Sequence, residues 1–478
     1  MTDDKALLKA IADSPDEDTP RLVYADWLDE NGQPDRAEFI RVQCQFAQLT
    51  KGDPYRSELH ERQSQLLAIH RRDWLPEHWS FAPYPPEKWL RGFVSGVEKQ
   101  GGHVTREDGA SLAAIPTIES LAFSATGLGD EEFRYLPVLP NLTEFALWGS
   151  EELTSVSFSL MSRWQTLRDL QLLSSGLDDD CLEHLAALQG LVSLDVFDGA
   201  QAEVLSDAGL SYIKGLTNLQ AFSLHAPRVT GLGLEVLSGL PLLRKLSIGG
   251  CRLTEDAIAP LVGCSHLEEL DLNHYENGGI GDQLLAALPR LPLLRILSVL
   301  RGDVTASGFR SLSRLSGLEE LAVGGQAFGD DELESLRNLP QLRRLQLHSC
   351  LVTQVGLRAL ELFPSLRALT LRCPQLEDVA LTSIARITEL RSLDLGGCDL
   401  NDDRLVHLSE FPNLETLSFR SLWVTDAGIA KLKRLPKLRH LNIDHTRATK
   451  EFVWDRRAEC APQLESLRLN GQAYGPIE

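Results

Sequence analysis

The residues best suited to chemistry lie near the N-terminus, where acids and arginines alternate over a short stretch. The acids are Asp26, Asp29, Glu30 and Glu38, and the arginines are Arg21, Arg36 and Arg41. Two carboxylates in one site can perform general acid–base catalysis. No histidine completes such a site here, and acids beside arginines on helix surfaces ordinarily form ion pairs. We therefore predict that these charges pair across the surface of a small core. That core is expected to contain Trp27, Leu28, Phe39 and Ile40.

Eight cysteines are the next candidates for chemistry. The sequence has no CxxC, no HExxH and no cluster of His and Cys, so the spacing typical of a zinc site is missing. Cys251, Cys350 and Cys398 instead recur at one position of the repeat described below, and Cys264 takes an apolar position. The sequence therefore predicts buried free thiols, with no metal and no cofactor.

Other common motifs of catalysis and phosphate binding are absent from the sequence. The sequence contains no GxxxxGK[ST] loop, no GxGxxG after a strand and no EF-hand string. His274 stands beside Tyr275 and Glu276 in a long loop, but no nucleophile is placed by sequence to meet it. We predict no catalytic residues.

A unit that repeats along the sequence must position any functional side chain of this protein. Residues 390–413 read LRSLDLGGCDLNDDRLVHLSEFPN, with apolar residues at positions 1, 4, 6, 11, 16, 19 and 22. Alternation in the first half is typical of a strand, and three-residue spacing in the second half is typical of one helix face. One unit is thus a strand, a turn and a helix.

Copies of this unit fill most of the chain, and ten of fourteen intervals between them are 24 residues. One copy cannot bury both its strand and its helix, so neighbouring copies must stack. The strand motif begins at Ile118, Leu142, Leu167, Leu191, Leu219, Leu243, Leu267, Leu294, Leu318, Leu342, Leu366, Leu390, Leu414, Leu438 and Leu464.

The unit resembles the leucine-rich repeat of ribonuclease-inhibitor-like proteins. This resemblance implies the fold class α/β: a curved solenoid with a parallel sheet on its concave face and helices on its convex face. It does not imply a reaction. We expect the solenoid to occupy residues 118–478, after an N-terminal cap and junction at residues 86–117.

Residues 1–85 do not carry the repeat and are expected to form a small all-α module. Helices are predicted over 3–11, 19–30, 34–49 and 57–70, with Asn31-Gly32 ending the second of them. The string PRLVYADWLDENGQPDRAEFIRVQ, residues 20–43, resembles the repeat-companion module at the N-terminus of bacterial repeat proteins. That resemblance implies no biochemical activity.

An aromatic segment follows the module and includes Trp74, Trp79, Phe81, Tyr84 and Trp89. It could be a binding surface, but a repeat array needs its open apolar end covered. We therefore expect a wedge that joins the module to the solenoid.

Polar residues within the units have structural interpretations. Thr and Asn at position 12 are expected to cap helices, acids follow them in the first turn, and glycines such as Gly308 let the helix approach the sheet. Charges at position 2 alternate in sign, so they should form ion-pair ladders between strands about 4.8 Å apart. The capping residues are Thr230, Thr254, Thr305, Thr353, Asn401, Thr425 and Thr449.

Positions 3, 5 and 7 of each strand face the concave hollow and have no core to fill. At position 7, Trp148, Leu173 and Phe197 occupy consecutive units and should form an exposed apolar patch that a partner could cover. The alternative is that the N-terminal module or an inserted loop folds over them. His225, His348, Arg372 and Arg420 occupy the same position in other units, and are expected to orient a partner.

The formal charge of −21 provides no basic stripe for phosphates, which argues against nucleic acid. The first residues lack the apolar core of a signal peptide, and no stretch is apolar enough for a bilayer, so a cytoplasmic location is predicted. The prediction is a non-enzymatic scaffold that binds an unknown protein or peptide. The alternative is an enzyme or enzyme adaptor with the N-terminal module as effector. It resembles the F-box adaptor layout but lacks the Leu-Pro opening of that family.

Overall fold

The computed structural model describes residues 3–50, 52–83, 89–149, 153–173, 177–198, 205–253, 255–273, 280–300, 302–325, 327–373, 378–432, 435–455 and 463–474. The chain divides into two compact units, Met1–Val229 and Thr230–Glu478. Each unit is built from parallel strands connected by helical segments, and the first also contains a helical module. The fold is an α/β leucine-rich repeat solenoid with a small N-terminal all-α module.

The helical module consists of α1 Asp3–Asp13, α2 Thr19–Glu30, α3 Pro34–Gln48 and α4 Arg56–His70. These bounds confirm the predicted helices to within two residues. Gly32 has φ +79°, a left-handed conformation that favours glycine, and it follows the end of α2 as expected. The module core includes Ile11, Tyr24, Leu28 and Ile40, with Trp27 packed against it.

Short antiparallel strands join this module to the repeats. They are β1 Ala82–Pro83, which pairs with Val97 and Glu98, and β2 Trp89–Leu90, which pairs with β3 Phe93–Val94. Phe39 of α3 lies 4.9 Å from Trp74 and 5.5 Å from Trp89 between ring centroids. These contacts support the predicted wedge. Tyr84 lies outside the described residues.

The first unit continues with six parallel strands in its described part. They are β4 Gly96–Gln100, β5 Ser120–Ser124, β6 Glu144–Trp148, β7 Asp169–Leu173, β8 Ser193–Phe197 and β9 Ala221–His225. The helices between them are α5 Arg106–Ala113, α6 Asp130–Phe133, α7 Ser155–Met161, α8 Asp179–Leu185 and α9 Asp207–Leu210, followed by a 3₁₀ helix at Ser211–Gly215.

The second unit has ten parallel strands among its described residues, and a final strand that turns back. The parallel strands are β10 Lys245–Gly249, β11 Glu269–Asp271, β12 Ile296–Leu300, β13 Glu320–Gly324, β14 Arg344–His348, β15 Ala368–Arg372, β16 Ser392–Leu395, β17 Thr416–Phe419, β18 His440–Asn442 and β19 Ser466–Leu469. The final strand, β20 Gln472–Tyr474, is antiparallel to β19.

Helical segments of the second unit are short, and several are 3₁₀ helices. The α-helices are α10 Asp282–Ala287, α11 Ala306–Arg310, α12 Asp330–Ser335, α13 Gln354–Arg358, α14 Asp378–Ala385, α15 Asp426–Ile429 and α16 Lys450–Asp455. The 3₁₀ helices are Gly233–Gly239, Glu255–Gly263, Ser311–Arg314, Leu336–Asn338, Ala359–Leu362, Arg404–Glu410 and Ala430–Leu432. Since a 24-residue unit leaves few residues for its helix, packing rather than helix propensity must stabilise these turns.

Burial alternates along the strands as the repeat predicts. In β7, Leu170 and Leu172 are buried, whereas Asp169, Gln171 and Leu173 are half-buried. Leucines at position 4 lie in register on successive strands of the second unit, so they stack into a continuous core. The face that carries positions 3, 5 and 7 is called the solvent face of the sheet below.

Ion-pair ladders at position 2 are confirmed. Arg295 and Arg343 both contact Glu319 at 3.5 Å, and Arg391 lies 3.5 Å from Glu415. All of these side chains are partly exposed, so the ion pairs contribute little to the stability of the fold and mainly mark the register of the strands. Further pairs are Arg244–Glu268 and Arg439–Glu465.

Hydrogen bonds connect the helix starts of neighbouring repeats, which the sequence did not indicate. The Thr305 hydroxyl accepts a hydrogen bond from Ser307 N, which confirms its capping role. Thr305 also donates its N–H and its hydroxyl, at 2.7 and 2.6 Å, to the two carboxylate oxygens of Asp282 in the preceding repeat. The same bridge joins Asp130 to Thr154, Asp179 to Ser206, Asp330 to Thr353, Asp402 to Thr425 and Asp426 to Thr449.

Glycines of the first helical turn serve this bridge. A Cβ on Gly308 would meet the Asp282 carboxylate and would lie 2.9 Å from Asp282 Cα. Gly356 and Gly428 are crowded in the same way by Asp330 and Asp402. The expectation that these glycines bring helix and sheet together is therefore wrong: they make room for the aspartate of the repeat before.

The cysteine prediction needs one correction. Cys350 and Cys373 form a disulfide, with their Cα atoms 5.3 Å apart, so they are not free thiols. Register places these two residues on neighbouring repeats, each just beyond its strand. Among the described residues, Cys44, Cys181, Cys251, Cys264 and Cys398 form no disulfide and are buried, as expected.

Candidate functional site

A row of large side chains crosses the solvent face in the first unit. Register pairs Trp148 with Leu173, Leu173 with Phe197, and Phe197 with His225 on adjacent strands. All four residues are half-buried, so none of them is sealed in the core. Adjacent parallel strands lie about 4.8 Å apart, and the row therefore forms one continuous strip. We call these four residues the apolar ladder.

The end of the apolar ladder is ordered by ring stacking. Phe197 and His225 stack with their centroids 4.3 Å apart and their planes 19° from parallel. Stacked rings hold each other in one rotamer, which lowers the entropy lost when a partner covers them. The ladder is thus preorganised at this end.

Acids at position 5 lie on the solvent face of both units and were not singled out from the sequence. Burial raises the pKa of Asp195, although a hydrogen bond from Ser223 opposes the shift. In the second unit, burial likewise raises the pKa of Asp271, opposed by hydrogen bonds from Ser298 and Ser247. The alternation of the repeat would have placed both acids on the solvent face, since they stand two positions before position 7.

A polar strip lies on the solvent face of the second unit. His348 and Arg372 are partners on adjacent strands, and Arg372 and Arg420 are exposed. Desolvation, reinforced by the nearby Arg372 charge, lowers the pKa of His348, so its imidazole is neutral at pH 7. The positive charge of this strip therefore resides on the two arginines. Asp444 does not extend the strip, because it is buried and pairs with Arg468 at 2.9 Å.

The N-terminal carboxylates are held in ion pairs. Arg41 contacts Asp26 and Asp29, each at 2.7 Å. Glu38 accepts two hydrogen bonds of 2.6 Å from Arg62, and these bonds lower the pKa of Glu38 despite partial desolvation. The predicted pairing of surface charges is confirmed for these three acids.

Two of the three arginines depart from that prediction. Arg21 is buried and donates to the backbone carbonyls of Pro15 and Glu17, at 2.7 and 2.5 Å. Arg36 points its guanidinium among aromatic rings and takes no acid partner among the described residues. Sequence spacing could not distinguish these arginines from Arg41, since all three stand on helices rich in acids.

Within the described ranges, no group of three or more His, Cys, Asp or Glu residues could hold a metal ion. Among the described residues, each helix is too short or too polar to span a bilayer. His274, Tyr275 and Glu276 lie outside the described residues, as do Thr254 and Cys460.

No family model and no curated protein matches the sequence of this chain. Structure comparison finds an internalin from Listeria monocytogenes, with 18% identity and a TM-score of 0.40, over 76% of this chain and 88% of that protein. A leucine-rich repeat protein from Leptospira interrogans is similar at 16% identity and a TM-score of 0.41, over 74% of this chain and 90% of its own. TLR13 in its complex with ssRNA13 gives 17% identity and a TM-score of 0.45, and the similarity covers 78% of this chain and 58% of TLR13.

Proposed function

We propose that this protein is a non-enzymatic scaffold that binds a protein or peptide on the solvent face of its repeats, the concave face of the predicted solenoid. The apolar ladder carries the proposal. Trp148, Leu173 and Phe197 present three large apolar side chains in one row, where partial exposure lets a partner remove them from water. Aromatic side chains of this kind supply much of the binding energy in protein interfaces.

The polar positions add specificity in this proposal. Asp195 borders the ladder and His225 ends it in the first unit, and Arg372 and Arg420 carry positive charge in the second. Partial burial strengthens the interaction of Asp195 and His225 with a complementary partner, whereas the exposed arginines act mainly by steering it. An acidic segment suits the arginine strip, whereas an apolar segment suits the ladder.

The N-terminal module has a structural role in this proposal, as the repeat-companion module that covers the end of a cytoplasmic bacterial array. Its acids support that assignment, because Asp26, Asp29 and Glu38 are engaged by Arg41 and Arg62. The core that includes Ile40 and Phe93 also joins the module to the first strands. No specific observation favours the alternative of an enzyme or adaptor.

Site-specific photocrosslinking tests the proposed face. A crosslinking amino acid at Gln171, on the solvent face two residues before Leu173 of the ladder, should trap a partner in cells, whereas the same residue at the exposed helix position Glu183 should not. Mass spectrometry then identifies the partner. Equal trapping at both positions would place the interface elsewhere.

The purified partner allows a quantitative test. The double variant Trp148→Ala/Phe197→Ala should weaken its binding about 100-fold or more, because each truncation removes a large apolar contact. Leu232→Ala, an exposed apolar residue away from the ladder, is the matched control and should bind like the wild type. An unchanged dissociation constant for the double variant would refute the proposal.

A further inference from the structure

A cavity of about 220 Å³ lies between the helical module and the strands that follow it. Every residue of its wall belongs to the first compact unit. Apolar and aromatic side chains form much of the wall, with Leu8, Leu28, Trp74, Trp89 and Phe93 among them. Arg36 contributes a guanidinium to the same wall.

The Arg36 guanidinium is surrounded by rings. Its central carbon lies 4.8 Å from the ring centroid of Trp74, 5.2 Å from that of Phe93 and 5.4 Å from that of Trp89. Its Nη1 atom is buried and makes no hydrogen bond. Within the described part of the chain, Arg36 has no ion pair, whereas Arg41 on the same helix contacts two carboxylates.

This arrangement leaves a charged group without an anion. Burial lowers the pKa of Arg36 to about 10, so the guanidinium stays positive at neutral pH. Aromatic faces attract the cation and replace part of its lost hydration. They do not, however, accept the strong hydrogen bonds that a planar guanidinium donates to a carboxylate. Nη1 is shielded from solvent, so the donors open to a ligand are the other guanidinium N–H groups, which make no hydrogen bond within the described residues.

Two other polar groups at the cavity are already engaged, and Gln33, which also lines it, is exposed and uncharged. The Tyr24 hydroxyl donates to Asp4 at 2.9 Å, and Thr117 donates to the Val94 carbonyl at 2.9 Å. Asp73 is 74% exposed and faces His70 Nδ1 at 3.6 Å. Arg36 is thus the group that would attract an anion into the cavity, and Asp73 is a like charge that would oppose it.

We propose that this cavity binds a small monocarboxylate with an apolar body. The carboxylate pairs with the Arg36 guanidinium, and the apolar body contacts Leu8 and Leu28. A volume of about 220 Å³ is below the usual range for drug-sized ligands, which restricts the ligand to a small molecule. This proposal is independent of the apolar ladder and its partner.

A pair of matched probes tests the charge requirement on the full-length protein. Phenylacetate carries a carboxylate, and phenylacetamide has nearly the same shape without the charge. Calorimetric titration should give phenylacetate at least about tenfold higher affinity than the amide, because only the anion forms charge-assisted hydrogen bonds. Equal affinity for the two probes, or binding of neither, would overturn the proposal.

Variants with opposite expected effects test the assigned residues. Arg36→Lys keeps the charge but loses the planar fork, and should weaken phenylacetate binding about tenfold. Asp73→Asn removes a like charge at the surface and should strengthen binding about two- to threefold. Arg41→Gln, on the same helix but outside the cavity, is the control and should leave affinity unchanged.

If Arg36→Lys does not fold, Asp73→Asn still tests the site. The Asp73 side chain is largely exposed, so its replacement should not disturb folding. Circular dichroism establishes folding of each variant first. If neither Arg36→Lys nor Asp73→Asn changes the affinity for phenylacetate, the site is refuted, even if phenylacetate binds elsewhere on the protein.

Discussion

Arg36 and Arg41 show how strongly the surroundings determine what one side chain does. Both stand on α3, five residues apart. Arg41 reaches Asp26 and Asp29 at the surface, where exposed ion pairs contribute little stability. Arg36 points into an aromatic cage without an acid. The same residue type therefore forms surface ion pairs in one place and, in our proposal, a binding group in the other.

Buried thiols lead to a prediction at the same scale. Burial raises the pKa of Cys44 to about 12, and those of Cys264 and Cys398 to about 11. Because the thiolate is the reactive form, we expect these cysteines to resist iodoacetamide in the native protein at pH 8. Unfolding in urea should make all three reactive, and peptide mass spectrometry measures the labelling.

The disulfide provides an internal reference in that experiment. Without reductant, Cys350 and Cys373 should be recovered as one linked pair of peptides and should not be labelled before or after unfolding. Rapid labelling of Cys44 or Cys398 in the native protein would contradict the burial described here.

Between elements, aspartate bridges connect each helix start to the next. The Asp282 carboxylate accepts both a backbone and a hydroxyl hydrogen bond from Thr305. Desolvation opposes ionisation of Asp282, but these bonds outweigh it and lower its pKa. Since the bridge recurs along the array, it couples neighbouring repeats as well as capping their helices.

We predict that Asp282→Asn lowers the free energy of unfolding by about 1 kcal/mol at pH 7. The amide has one acceptor oxygen and no negative charge, so it cannot replace the carboxylate that accepts both hydrogen bonds from Thr305. The folded pKa lies below the unfolded value of about 3.9. The contribution of the bridge is therefore complete above that value, and is lost as the pH falls through the folded pKa. Urea unfolding from pH 7 to pH 2 should show the difference from wild type shrinking below about pH 4.

Asp303→Asn is the matched control for that series, since Asp303 is exposed on the same part of the array. It should unfold like the wild type at every pH. A penalty for Asp282→Asn that does not change with pH would show that the ionised carboxylate is not the source of the stabilisation.

On the scale of the whole molecule, the helical module and the first repeats share one interior. Phe93, at the start of the strands, belongs to the core that includes Ile40 of α3. Asn141 in a later repeat donates to the Ala12 carbonyl at the end of α1, at 2.9 Å. The module therefore packs on the array as part of its first unit.

Gly92 permits this close packing and gives the last prediction. It has φ +92°, and a Cβ there would lie 2.8 Å from Ile40 Cα. We expect Gly92→Ala to destabilise the first unit by about 3 kcal/mol, from backbone strain and overpacking together. Limited proteolysis should then cleave between the module and the repeats sooner than in the wild type.

Gly101→Ala separates the two causes. Gly101 also has a positive φ, +65°, but no heavy atom lies within 4 Å of a Cβ placed on it. Gly101→Ala should therefore destabilise the protein by only about 1 kcal/mol, from backbone strain, and should keep the wild-type cleavage pattern. Equal effects of the two substitutions would mean that contact with Ile40 does not hold the module in place.

Much of the architecture was predictable because the determining signal is local and repeated. Alternation in LRSLDL indicates which leucines point inward, and the 24-residue period indicates that the units stack. The same alternation placed Trp148, Leu173 and Phe197 on the solvent face, where the structure has them half-buried. Their role in partner binding stays a prediction.

The sequence by itself determined the period, the direction of each strand side chain and the ion-pair register, because these depend on residues within one unit or at equal positions of neighbouring units. Tertiary structure decided that Asp282 meets Thr305, that Cys350 meets Cys373 and that Arg36 lies among aromatic rings. Residue types alone do not specify such contacts, since many acids, cysteines and arginines are available. Only the packing of helices and turns brings particular atoms within reach and excludes water from the others.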